Sequence, residues 1–116
     1  MVIWVIGLSG SGKTTFANEL HKCLNENKKW LKIDGDVIRD LFQNDLGHKY
    51  QDRRKNANRI MKLSQFLAKN EINVICSILS ISQEDREWNR ENIPGYFEIF
   101  IDVTMDVLKQ RDSKKL

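Results

Sequence analysis

Gly7-Leu8-Ser9-Gly10-Ser11-Gly12-Lys13-Thr14, with Thr15 behind it, fits the pattern G-x-x-x-x-G-K-[ST], in which a glycine-rich turn wraps a chain of phosphates. The glycines let the backbone turn tightly enough for consecutive N–H groups to converge on phosphate oxygens. A helix starting there adds the partial positive charge of its N-terminus. On this reading Gly7, Ser9, Gly10, Ser11, Gly12, Lys13, Thr14 and Thr15 line a bound ATP. Lys13 reaches the terminal phosphates and the Thr14 hydroxyl binds Mg²⁺. The plain alternative is an ordinary turn between strand and helix, and the flanks weigh against it. Val2-Ile3-Trp4-Val5-Ile6 is the apolar run of a strand covered on both faces, and Phe16, Ala17, Leu20 and Leu24 recur at helical spacing.

A second constellation is Asp34-Gly35-Asp36, at the end of the short apolar segment Trp30-Leu31-Lys32-Ile33. Strand ends are where open parallel sheets bind ligands. Two carboxylates there can hold a metal ion or accept a hydroxyl proton. Asp is also a favoured helix cap, and Asp36 is expected both to cap the next helix and to face the cleft. A third set lies on a long helix whose apolar stripe is Ala57, Ile60, Leu63 and Leu67. Continued toward the N-terminus, the stripe lands on Arg53 and Asn56, which therefore point the way the buried face points. Arg54 and Lys55 read as a solvated basic face, with Arg59 flanking.

The elements that must position these groups follow in order. The first helix is expected from Gly12 to about Asn27, the second strand over Trp30–Ile33, and a short helix holds Val37, Ile38, Leu41 and Phe42. Asp45–Tyr50 is turn-like. The long helix runs from Asp52 to Asn70, a third strand over Ile72–Ser77, a charged helix over Glu84–Asn92, and a fourth strand over Phe97–Val103. A last helix starts at Met105. Strands alternating with helices predict an α/β fold, a parallel sheet of phosphate-loop type with helices on both faces. His21 reads as a solvated helical residue with no role.

Length and composition narrow the class. The 116 residues suffice for a single domain with a real core, and 41% hydrophobic with 30% charged residues describes an ordinary soluble chain. Apolar runs are too short to span a bilayer, and the immediate start of a strand argues against a signal peptide. Two lone thiols, Cys23 and Cys76, suggest a reducing, cytoplasmic setting. A net charge of +3 is too mild to imply nucleic acid but suits a small anionic substrate. A guanine-reading Asn-Lys-x-Asp is absent, and Phe97–Asp102 only partly matches the acidic strand of a motor ATPase. An acidic strand end with scattered arginines fits a kinase for a small anionic acceptor.

At this point the chain resembles the adenylyl-sulfate kinases, which transfer the ATP γ-phosphate to the ribose 3′-hydroxyl of adenosine 5′-phosphosulfate. The resemblance rests on GLSGSGKTT, on IDGDVIR at Ile33–Arg39, on DLG at Asp45–Gly47 and on DR-x-x-N at Asp52–Asn56. RI at Arg59-Ile60, SILSIS at Ser77–Ser82, DR at Asp85-Arg86, FEIFIDV and QRDSKKL continue it. It implies a catalytic group of Lys13, Asp34, Asp36 and Ser80, with Mg²⁺ on Thr14 and Asp34 and Asp36 as the base. Arg39, Arg53 and Asn56 would hold the acceptor nucleotide. Ser80 matches a serine proposed to form a phosphoserine in the family, whereas in-line transfer needs only positioning and electrostatics.

The chain departs from the family's pattern in two places. After DLG the family usually continues Phe-Ser, its aromatic helping to hold the acceptor base, and here His48-Lys49-Tyr50 stands instead. Either Tyr50 replaces the aromatic from a shifted position or the acceptor base differs. Asn58 and Ile81 also replace residues common in the family. A related kinase of capsule synthesis phosphorylates a cytidine diphosphoramidate, which makes a changed base the second reading. The family further continues past QRD-x-K-x-L with a basic lid, another strand and a closing helix. A chain ending at Leu116 is expected to turn over poorly alone and, with a sheet edge uncovered, to favour pairing into a homodimer. A non-catalytic nucleotide-binding module is the opposing class.

Overall fold

The computed structural model describes residues 1–7, 12–26, 28–79 and 81–101. Strands β1 (Val2–Ile6), β2 (Trp30–Asp34), β3 (Asn73–Ile78) and β4 (Tyr96–Phe100) form one parallel sheet in the order β2-β3-β1-β4. Register runs from Val2↔Val74 to Ile6↔Ile78 between β1 and β3, and from Val2↔Tyr96 to Ile6↔Phe100 between β1 and β4. β1 sits inside the sheet under both faces, so all five of its residues are buried and its sequence is uniformly apolar.

Parallel neighbours need crossovers, and the helices supply them. They are α1 (Lys13–Asn25), α2 (Gly35–Leu41), α3 (Tyr50–Lys69) and α4 (Gln83–Asn92). Side-chain alternation along the strands divides the core in two. Ile3, Val5, Trp30 and Ile75 pack with Ala17, Leu20 and Leu24 of α1. Val2, Trp4, Ile6, Ile33, Val74, Cys76 and Ile78 pack with Ile38 of α2 and with Ala57, Ile60 and Met61 of α3. Full burial of each large aliphatic side chain is worth about 1.5–3 kcal/mol, so α3 is held by this face more than by helix propensity. The chain leaves β1 toward β2 and leaves β3 toward β4. That reversal opens a cleft at the carboxyl ends of β1 and β3, where the glycine loop begins.

The predicted elements recur with ends moved by one to three residues. α1 stops at Asn25 rather than Asn27, α3 begins at Tyr50 rather than Asp52, and β4 spans Tyr96–Phe100. Asp102, Val103 and the helix expected from Met105 lie outside the described residues. On α3, Ala57 and Ile60 are buried and Leu63 and Leu67 pack partly buried at the rim, while Met61 and Ser64 complete the buried face. α2 buries Ile38 but exposes Val37 and Leu41, because two turns over edge strand β2 cover little of the sheet. His21 is not simply solvated. It is half-buried, and its Nε2 donates to the Trp30 carbonyl at 2.8 Å, tying α1 to β2. Both cysteines are free, and burial pushes the Cys76 thiol up to about 12. Among the described residues no helix is long and apolar enough to cross a membrane.

Candidate active site

Gly7 leaves β1 with its N–H already committed, donating to the Ile78 carbonyl at 3.2 Å. Its amide thus serves the sheet rather than a phosphate. Gly12 has φ 92° and precedes α1, a left-handed conformation that costs L-residues energy and glycine none. Its carbonyl accepts the Phe16 N–H at 2.9 Å, so helix α1 starts directly from the glycine turn. Thr15 is exposed on the first turn. The backbones of Lys13 and Thr14 open α1, while their side chains, together with Ser9, Gly10, Ser11 and Ser80, lie outside the described part of the structure.

Asp34 pairs in register with Ser77 and shares the α1 face of the sheet with Trp30 and Lys32, whose ammonium bonds the Asn18 side chain of α1. Its extended backbone (φ −119°, ψ 144°) lets Oδ1 accept the Asp36 N–H at 2.8 Å. Asp34, not Asp36, is therefore the cap of α2, contrary to expectation. Asp36 is already inside the helix, and its N–H is one of the donors that needs capping. The Asp36 carboxylate is left exposed in the first turn, where the helix N-terminus favours negative charge.

Asn56 braces this corner from α3. Its Nδ2 donates to the Gly35 carbonyl at 3.1 Å across 21 positions of sequence. The side chain is buried, and its Oδ1 has no hydrogen-bond partner among the described residues. Arg39 is buried as well, and its guanidinium donates to the Gly47 carbonyl at 2.6 Å. Among the described residues that is the one hydrogen bond of its five N–H donors. Arg53, in phase with Asn56 but one turn earlier, is exposed rather than turned onto the buried face.

His48 is exposed. Tyr50 is exposed too, and lines a groove of about 840 Å³ between α3 and α4 with Arg54, Glu84 and Trp88. Arg54 is exposed, as expected of a solvated basic face, and pairs with Glu84 at 3.0 Å and Asp85 at 3.5 Å. The structure thus brings Asp34, Asp36 and Asn56 to one corner at the end of β2, holds Arg39 at the loop after α2, and sets Tyr50 in the α3–α4 groove. Sequence reading missed the ion pair of Arg59 with Asp45. Its one signal is an arginine beside the buried stripe, opposite an acidic turn.

The family model described as adenylylsulphate kinase matches residues 1–116. The chain is 34% identical over 117 residues to an adenylyl-sulfate kinase of Halothermothrix orenii, covering 100% of this chain and 63% of that one. It is 39% identical over 118 residues to the chloroplastic adenylyl-sulfate kinase 1 of Arabidopsis thaliana, covering 99% and 43%. The APS kinase of Mycobacterium tuberculosis, solved with AMPPNP and APS, superposes with a TM-score of 0.81 at 31% identity, over 97% of this chain and 68% of that one. The chain spans less than two thirds of the length of these two curated relatives. The chain belongs to the adenylylsulphate kinase family.

Proposed function

We propose that this chain carries the phosphoryl-transfer site of an ATP-dependent kinase acting on the ribose 3′-hydroxyl of a nucleotide, adenylyl sulfate in the first instance. The observation that carries the reading is the corner at the end of β2. Asp34 is fixed as the cap of α2, and buried Asn56 holds the corner; among the described residues the Asp36 carboxylate and Asn56 Oδ1 have no hydrogen-bond partner. The family match and the M. tuberculosis relative bound to AMPPNP and APS support the choice of donor and acceptor.

The division of labour follows from each group's freedom. Asp36 takes the proton of the attacking hydroxyl, because its carboxylate makes no hydrogen bond among the described residues. Asn56 Oδ1 accepts from a hydroxyl or amine of the acceptor, and Arg39 and Arg53 meet its anionic groups. Backbone N–H groups of the glycine loop and Lys13 hold the ATP phosphates. The donor set suits Mg²⁺, which takes one or two carboxylates and completes its shell with phosphate oxygens and water. Asp34 has one carboxylate oxygen without a hydrogen bond among the described residues, and Thr14 adds a hydroxyl. Bound there, Mg²⁺ neutralises charge on the transferred group.

A second acceptor, a cytidine diphosphate derivative such as cytidine diphosphoramidate, is favoured by one observation. His48 stands where the family has an aromatic, and Tyr50 lies in the α3–α4 groove with Arg54. Transfer of label from γ-labelled ATP to adenylyl sulfate, with the product identified as the 3′-phosphate, tests the reading on protein supplied with the family's lid and closing helix. Lys13→Ala should abolish transfer and leave the circular dichroism spectrum unchanged. Near-normal transfer by that variant would end the kinase assignment.

A further inference from the structure

The segment between α2 and α3 contains the residues that follow Gly47, and it is clasped from both helices. From α2, the Arg39 guanidinium holds the Gly47 carbonyl at 2.6 Å. From α3, Arg59 meets Asp45 with two parallel bonds, Nη1 to Oδ1 at 2.9 Å and Nη2 to Oδ2 at 2.6 Å. The same guanidinium lies over the Phe42 ring, 4.1 Å from its centroid. One arginine therefore grips both the start and the middle of the connection.

The backbone between these grips is costly to arrange. Gln43 and Asn44 both adopt positive φ, 59° and 53°, which disfavours L-residues. Their N–H groups fold back onto the Asp40 and Arg39 carbonyls at 2.9 and 2.8 Å. At Gly47 a Cβ would come within 3.0 Å of the Asp52 carboxylate, so the chain there runs close against α3. Exposed ion pairs contribute little to global stability. A bidentate pair stacked on an aromatic instead restricts geometry. The Arg59 N–H donors also hold the Asp45 carboxyl below the usual carboxylate range.

We infer that Arg59 is a positioning residue for the acceptor: through Asp45 and Phe42 it fixes the 42–47 turn, and with it the placement of His48 and of the Gly47 carbonyl on which Arg39 is oriented. The inference rests on the proposed kinase function for its catalytic readout. Its structural half stands without it.

The test compares Arg59→Gln, Asp45→Asn, the double variant and Arg59→Lys with the unmodified chain. Steady-state kinetics give separate KM values for adenylyl sulfate and ATP, and amide hydrogen exchange is followed at residues 43–47. Arg59→Gln should raise the acceptor KM about ten- to a hundredfold, the scale of a small misplacement in a positioned site. The KM for ATP should stay within about twofold, well below that effect. Asp45→Asn should match it, and the double variant should be no worse than either single one. Arg59→Lys should rescue only in part, lacking the fork. Exchange should quicken at 43–47 and stay slow in the buried part of α3.

An unchanged acceptor KM, or a parallel rise in both KM values, overturns the inference. The kinetics are read on protein supplied with the basic lid and closing helix of the family, and if that protein phosphorylates no nucleotide, the kinase reading fails by itself. The exchange measurement then decides, and unchanged protection at 43–47 in Arg59→Gln refutes the clasp.

Discussion

Asn56 and Gly35 are 21 residues apart, and a single 3.1 Å bond from the amide to the carbonyl joins the long helix to the corner that carries both acids. The amide's other atom is buried and unpaired among the described residues. A buried polar atom without a partner is costly, and a ligand donor would relieve that cost.

Asn56→Ala should therefore hurt twice. Removing the donor strands the Gly35 carbonyl, at about 1–3 kcal/mol of stability if water does not replace it. Removing the acceptor should raise the KM for the acceptor nucleotide about five- to tenfold, the worth of one hydrogen bond. The KM for ATP should move little. Urea titration and the two KM values check the two halves separately.

Asp34 and Asp36 separate by substitution type. Asn caps as well as Asp, so Asp34→Asn should keep the stability of α2, whereas Asp34→Ala should cost about 0.5–2 kcal/mol. Asp36→Asn leaves the cap untouched, yet should lower kcat by about 10²–10⁴-fold if Asp36 is the base. Thermal melts beside kcat for the three variants decide. A stable Asp36→Asn with full turnover removes the assignment.

Gly12→Ala tests the loop without touching its chemistry. At φ 92° a Cβ is strained, and the substitution should destabilise by about 1–2 kcal/mol. A thermal melt reads this directly. An unchanged midpoint would mean that the turn relaxes to another conformation.

Much of this architecture was legible in the residues. β1 announces itself because a strand buried on both faces has no polar position to confuse the pattern. The α3 stripe did the same through Ala57 and Ile60. For the acid pair only the cap assignment moves: Asp34 and Asp36 are both good caps, and the strand's true end, one residue later than expected, decides for Asp34. Arg53 shows the limit of phase. Helical periodicity gives a direction around the axis but not the point along it where the sheet ends. The setting of Tyr50 in the groove that Trp88 also lines, and of Asp45 against Arg59, depends on how α4 and the 42–47 turn dock on α3, which local pattern alone does not give.

Acid sensitivity should trace to Glu98. Burial opposes its ionisation, but N–H groups of Arg86, the Tyr96 hydroxyl and Arg90 outweigh it and hold the carboxyl below the usual range. Because the folded form is the better acid, this contribution is present above the ordinary carboxylate range, about pH 4, and is lost as pH falls through the folded value. Melting temperature should thus drop more steeply below pH 4 in the unmodified chain than in Glu98→Gln. Parallel profiles would place the acid lability elsewhere.

The most direct test is kcat/KM for adenylyl sulfate against cytidine diphosphoramidate, on protein supplied with the family's lid and closing helix and with ATP and Mg²⁺ in excess. Phosphorylation is expected at the 3′-hydroxyl with adenylyl sulfate preferred tenfold or more, about 1.4 kcal/mol of differential transition-state binding. Preference for the cytidine acceptor, or ATP binding with neither nucleotide phosphorylated, would contradict it.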